Sequence, residues 1–213
     1  MFPSPISITG LLRISQVRFA LVLHFLVAVI LGWIPLFDIL GFERAFVTGL
    51  IAGPLAGICG VAVVHEYRSQ RPCKLSTAFL YVAQLNLLFV LPSVLAGLLV
   101  EKMTQACNPQ EGLIFILLLP GSTIIWGTAA GVICGRMFSK RRWAFAGLGL
   151  VFLGCLSLSL LRLYQEPQIF AFSMPFGYWP GSLYDEEVQV TQALLTHRVL
   201  TMLVGLTAIS ACE

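Results

Sequence analysis

Apolar residues in this chain fall in long uncharged runs rather than in alternation with polar ones. The runs cover 19–37, 45–64, 75–100, 113–135 and 143–161. Each approaches the about 20 residues that a helix needs to cross a hydrocarbon core about 30 Å thick. Helix is the conformation they predict, because an unpaired backbone amide in hydrocarbon costs several kcal/mol. A lipid-facing barrel strand would alternate over about ten positions, and no stretch does so. A further run, Val199 to Cys212, has 14 residues and reaches only about 21 Å as a helix. Half-insertion, extra turns from 188–196, or a chain cut from a longer protein would each explain it. The lack of an anchor in Ser210-Ala211-Cys212-Glu213 favours the last. The pattern predicts an all-α polytopic membrane bundle, one transmembrane domain over 1–213 with five full spans and a short sixth at 199–212.

Composition removes the soluble alternatives. Hydrophobic residues make up 58% of the 213, charged residues 11%, and mean hydropathy is +0.89. A soluble domain carries about 25% charged residues, so too little polar side chain exists to cover a water-facing surface. A disordered tail, a nucleic-acid-binding domain and a disulfide-stapled secreted module are excluded on the same ground. The lipid bilayer is the first partner, and no nucleic acid is expected.

Charge orients the predicted spans. Arg13, Arg18, Arg68, Arg71, Lys74, Arg136, Lys140, Arg141 and Arg142 fall on one side, with Glu66 and Glu213. Arg44, Lys102, Arg162 and Arg198 fall on the other, with Asp38, Glu43, Glu101, Glu111, Glu166, Asp185, Glu186 and Glu187. The positive-inside rule places the first side and the N-terminus in the cytoplasm, and a bacterial inner (plasma) membrane is the expected location. The first run lies too far from Met1, and lacks the small-residue site, to be a cleaved signal peptide. It is expected to stay as an anchor.

Two runs carry glycine every fourth residue: Gly49, Gly53 and Gly57, then Gly127, Gly131 and Gly135. Such glycine zippers let helix backbones approach closely, and association in lipid depends on that packing. Helix packing is preferred here over a substrate path lined by glycine. The triplets Ile58-Cys59-Gly60 and Ile133-Cys134-Gly135 hint at internal duplication. Pro35, Pro54, Pro92 and Pro120 fall inside predicted helices and are expected to kink them.

Chemistry within the spans is sparse. No Asp, Glu, Lys or Arg falls in the middle of a predicted helix, which disfavours a proton-coupled mechanism. His24, Gln84 and Asn86 are the polar residues expected inside, each gluing one helix to another. His65-Glu66 opens like a zinc-peptidase helix, but Ser69 stands where the second His is needed. No metal site, cofactor or catalytic residue is expected.

The one long connection is 164–198, expected to form an ordered cap lying on the extracytoplasmic surface. Its aromatics are interrupted by Pro175, Gly177, Pro180 and Gly181, residues that fix turns. Tyr178, Trp179, Tyr184, Asp185, Glu186 and Glu187 are its candidate binding residues, offering hydroxyl and carboxylate to a cation, a sugar or a partner. An aromatic interface belt beside a solvated acidic turn accounts for them equally well. The segment 176–186, Phe-Gly-Tyr-Trp-Pro-Gly-Ser-Leu-Tyr-Asp-Glu, resembles a loop in the N-terminal membrane regions of large bacterial multi-pass proteins that carry a soluble, peptidase-like domain downstream. The resemblance implies a missing C-terminal domain and transfers no catalytic residue. The sequence therefore points to a non-catalytic membrane anchor, scaffold or assembly subunit, partnered by other membrane subunits or by that domain. A transporter or channel for a neutral or lipid-like solute is the alternative. A membrane enzyme with an outer-face acidic site is the weakest.

Overall fold

The computed structural model describes residues 8–70, 74–104, 109–165, 170–180 and 190–212. Eight α-helices and one hairpin follow in order: α1 Ile8–Leu11, α2 Ser15–Leu31, α3 Phe42–Gln70, α4 Leu75–Thr104, α5 Pro109–Ile116, a π-helical segment Leu117–Gly121, α6 Ser122–Met137, α7 Arg141–Gln165, strands β1 Phe170–Ser173 and β2 Gly177–Pro180, and α8 Gln192–Cys212. The protein is an α-helical membrane bundle. Five helical stretches are long and apolar enough to span a bilayer: Phe42–Arg68, Leu75–Thr104, Gln110–Met137, Arg141–Arg162 and Gln192–Cys212.

The short helix is not the one the sequence pattern indicates. α8 is a full 21 residues, because Gln192 to Arg198 continue the apolar run as helix. Thr191 starts it, its Oγ1 accepting the Leu194 amide at 3.2 Å, as an N-cap hydroxyl does. The expected boundary at Val199 is thus too late. α2, by contrast, has 17 residues, about 25 Å of helix, and stops at Leu31 rather than 37. Pro35 therefore lies beyond the helix and kinks nothing. The chain turns there through Leu36, whose φ is 78°, and apolar side chains continue without helical backbone.

α3 and α6 form the axis of the bundle and run parallel. A Cβ on Gly127 would strike the Gly53 carbonyl, and one on Gly131 the Gly57 carbonyl. The two backbones are in direct contact, which only glycine permits on that line. α2 and α4 cover one flank of α3, where Leu11, Val17, Cys59, Val82 and Phe89 share a core. α7 covers α6 through Trp126, Cys134, Leu148 and Phe152. α8 packs on α6 and α4, with Ile209 against Phe79, Ala129 and Val132. Cys59 and Cys134 thus belong to separate cores despite their matching triplets. The opposite faces of α7 and α8 expose Leu150, Leu153, Leu160, Leu200 and Leu203, a surface suited to lipid.

Candidate functional site

The helix α5–π–α6 is disturbed where Pro120 removes a backbone donor. The backbone widens into the π-helical turn Leu117–Gly121, and side-chain hydroxyls take up its carbonyls. Ser122 Oγ donates to Leu118 O and Leu119 O, and Thr123 Oγ1 to Pro120 O at 3.0 Å. Thr123 Oγ1 also lies 3.3 Å from Gly49 O, which ties α6 to α3 at this level.

Against this segment lies the tip of the hairpin. β1 and β2 pair antiparallel from Phe170↔Pro180 to Ser173↔Gly177. The turn closes with Gly177 at φ 100°, a conformation that glycine adopts without strain. The tip does not rest on the surface as a cap. A Cβ on Gly53 would lie 3.0 Å from Pro175 O, and Gly53 is eleven residues into α3, about 16 Å along it. Phe176 packs edge-to-face on Phe152 of α7, centroids 5.9 Å apart. The hairpin tip inserts among the helices, filling a notch between α3, α6 and α7.

Non-helical backbone at such depth is tolerated only where protein groups satisfy it. Arg198 does this. Its side chain is 0% exposed; Nη2 donates to Ser173 O at 3.0 Å, and Nη1 lies 3.5 Å from both Met174 O and Ser122 Oγ. One guanidinium thus joins α8, the hairpin tip and the π-helical turn. Arg198 Nε and Ser173 Oγ have no partner among the described residues. Arg44, also 0% exposed, repeats the device where α2 ends early. It donates from Nε to Phe37 O at 2.8 Å, from Nη2 to Asp38 O at 3.1 Å and from Nη1 to Ser93 O at 2.7 Å. Beside the hairpin, a cleft of about 110 Å³ opens between α7 and α8, lined by Ser159, Arg162, Met174 and His197.

The sequence-derived candidates meet this site only in part. Tyr178 and Trp179 stand in β2, paired with Phe172 and Ala171; their side chains, and the whole of Tyr184, Asp185, Glu186 and Glu187, lie outside the described residues. The apolar pattern places Arg44 and Arg198 in loops; both are buried, in α3 and α8. The sequence signal for Arg198 is the apolar Ala193-Leu194-Leu195 just before it, which lets the helix start ahead of Val199. Of the three polar residues expected inside, His24 and Asn86 are buried and Gln84 is exposed. His24 Nδ1 donates to Ala20 O and Asn86 Nδ2 to Val82 O, both at 2.8 Å. These two bonds close within one helix; across helices, His24 meets the Phe89 ring of α4 at 6.0 Å and Asn86 hydrogen-bonds the Cys59 thiol of α3. No cluster of three or more metal-ligating side chains occurs among the described residues.

Comparison with family models, with curated proteins and with solved structures finds no match.

Proposed function

We propose that this membrane domain is a non-catalytic scaffold of a bacterial plasma membrane, with its N-terminus cytoplasmic, which holds an extracytoplasmic segment ready for a partner subunit or a further domain. The observation that carries the reading is the clamp at Arg198. The hairpin tip is anchored there by a fully buried guanidinium, and α8 begins at Gln192 on a Thr191 cap. Between those two fixed points in the sequence come Tyr184 and the acidic Asp185 to Glu187, which a partner with basic or polar groups would engage. The contact of Gly53 and Gly57 with Gly127 and Gly131 supports the same reading, since backbone fills the space where a glycine-lined path would run.

Mild extraction of native membranes tests it. The protein is expected to migrate as a stoichiometric assembly or as part of a larger polypeptide, and combined amidation of Asp185, Glu186 and Glu187 is expected to release a separate partner. Transport is the second reading, favoured by the inserted hairpin and the π-helical turn, elements that also build transporter sites. Purified protein that equilibrates a neutral solute across liposomes would overturn the scaffold in its favour.

A further inference from the structure

The basic end of the bundle carries a cleft that the scaffold does not use. It has a volume of about 80 Å³ and lies between the ends of α3, α4 and α6. Its wall is apolar, from Val63, Val64, Leu75 and Ala78, and its rim carries Tyr67, Arg68 and Arg136. The last turns of α3 and α6 meet because Gly135 has no side chain: a Cβ there would lie 3.0 Å from Val64 Cβ and 3.3 Å from Val61 Cα. Arg136, the next residue, is thereby brought to the same rim as Arg68. Arg68 commits Nη1 to Phe138 O at 3.2 Å, one of the five donors a guanidinium has, and its side chain is exposed. Arg136 is exposed at the opening. Two planar cations lining one small hollow suit the tetrahedral oxygens of a phosphate, which arginine holds through paired hydrogen bonds.

Depth and charge select the ligand. The spans end at Arg68 and Met137 and begin at Leu75, so the cleft lies at the level of lipid headgroups. The cleft, about 80 Å³ and open to the outside, has room for a phosphate group at its mouth. Among the described residues, Glu66 is the one acid at this end of the chain's spans, against Arg68, Lys74, Arg136, Lys140, Arg141 and Arg142. Basic hollows between transmembrane helices on such a face bind anionic headgroups. We propose that this cleft binds the phosphate of an anionic phospholipid, with the acyl chains lying along the apolar helix surface outside it. The proposal does not depend on the scaffold role.

The test is native mass spectrometry of the purified protein after mixing with phosphatidylglycerol, phosphatidylcholine or inorganic phosphate. One phosphatidylglycerol per chain is expected to survive at collision energies that strip phosphatidylcholine. R68Q/R136Q is expected to weaken its retention about tenfold, the loss of two exposed, solvent-screened charged contacts. K140Q/R142Q removes two charges from the same end but outside the cleft, and is expected to change retention less than about twofold. R68K/R136K keeps charge without the planar fork and is expected to fall between. Circular dichroism and monodispersity confirm that each variant is folded. Equal losses in the two glutamine pairs would reduce the effect to diffuse surface charge and overturn the site. Displacement of the lipid by millimolar inorganic phosphate would reassign the cleft to the free ion. Phosphatidylcholine held as firmly as phosphatidylglycerol would also overturn the proposal.

Discussion

A buried arginine in a membrane bundle is explained by the carbonyls around it. Arg198 and Arg44 each face backbone oxygens that no helix ladder can satisfy, at Ser173 and Met174 and at Phe37 and Asp38. Removing the donor strands those oxygens, and each buried unpaired polar group costs about 1–3 kcal/mol. Arg198→Met keeps the bulk and loses the donors. It is expected to destabilise the protein by about 3 kcal/mol, read from unfolding in mixed micelles, and to raise amide exchange at 173–177 ahead of α3 and α6. Arg198→Lys, with its three donors, is expected to recover part of the loss. Unchanged exchange at the hairpin in Arg198→Met would remove the clamp. At this scale the sequence revealed residue types but not roles. Arg198 follows Thr196 and His197 and precedes an apolar run, which reads as a span boundary. The carbonyls it serves come from residues about 24 positions earlier, and no local pattern displays them.

Among the elements, α3 and α6 show how glycine position decides packing. Gly131 sits against the Gly57 carbonyl, whereas a Cβ on Gly149 of α7 would meet nothing within 4 Å. The same substitution is therefore expected to act with opposite sign. Gly131→Ala forces the two backbones apart and is expected to destabilise by about 1–3 kcal/mol. Gly149→Ala improves helix propensity on a free surface and is expected to be neutral or to stabilise by up to about 1 kcal/mol. Unfolding of the two variants side by side checks both signs; equal effects would mean that the axis is not held by this contact. The four-residue spacing marked both stripes from sequence alone. Helix ends were less legible. The pattern counts apolar residues, and α2 stops at Leu31 while Trp33, Ile34 and Leu36 go on as exposed apolar turn. At α8 the error runs the other way, because Thr196, His197 and Arg198 interrupt the apolar run without interrupting the helix.

At the scale of the molecule, the bundle has a basic end and a hairpin end, and the charge bias predicts which faces the cytoplasm. In a cysteine-free background, a cysteine at Tyr178 is expected to react with a membrane-impermeant maleimide added to intact cells. One at Lys140 is expected to react only after permeabilisation. The reverse labelling would invert the orientation, and with it the side on which the proposed partner would be sought. What the sequence determined by itself follows from transfer energetics: that the chain resides in lipid, that its spans are helical, and where its small-residue stripes lie. Each depends on composition and spacing within a window shorter than one span. What only the tertiary structure decided is how non-helical backbone survives within the bundle. The depth of the Met174–Phe176 tip, the burial of Arg44 and Arg198, and the meeting of Arg68 with Arg136 all join segments far apart in the chain. An unpaired carbonyl in a low-dielectric interior recruits whatever donor the fold brings near it, and that neighbour is set by packing rather than by sequence proximity.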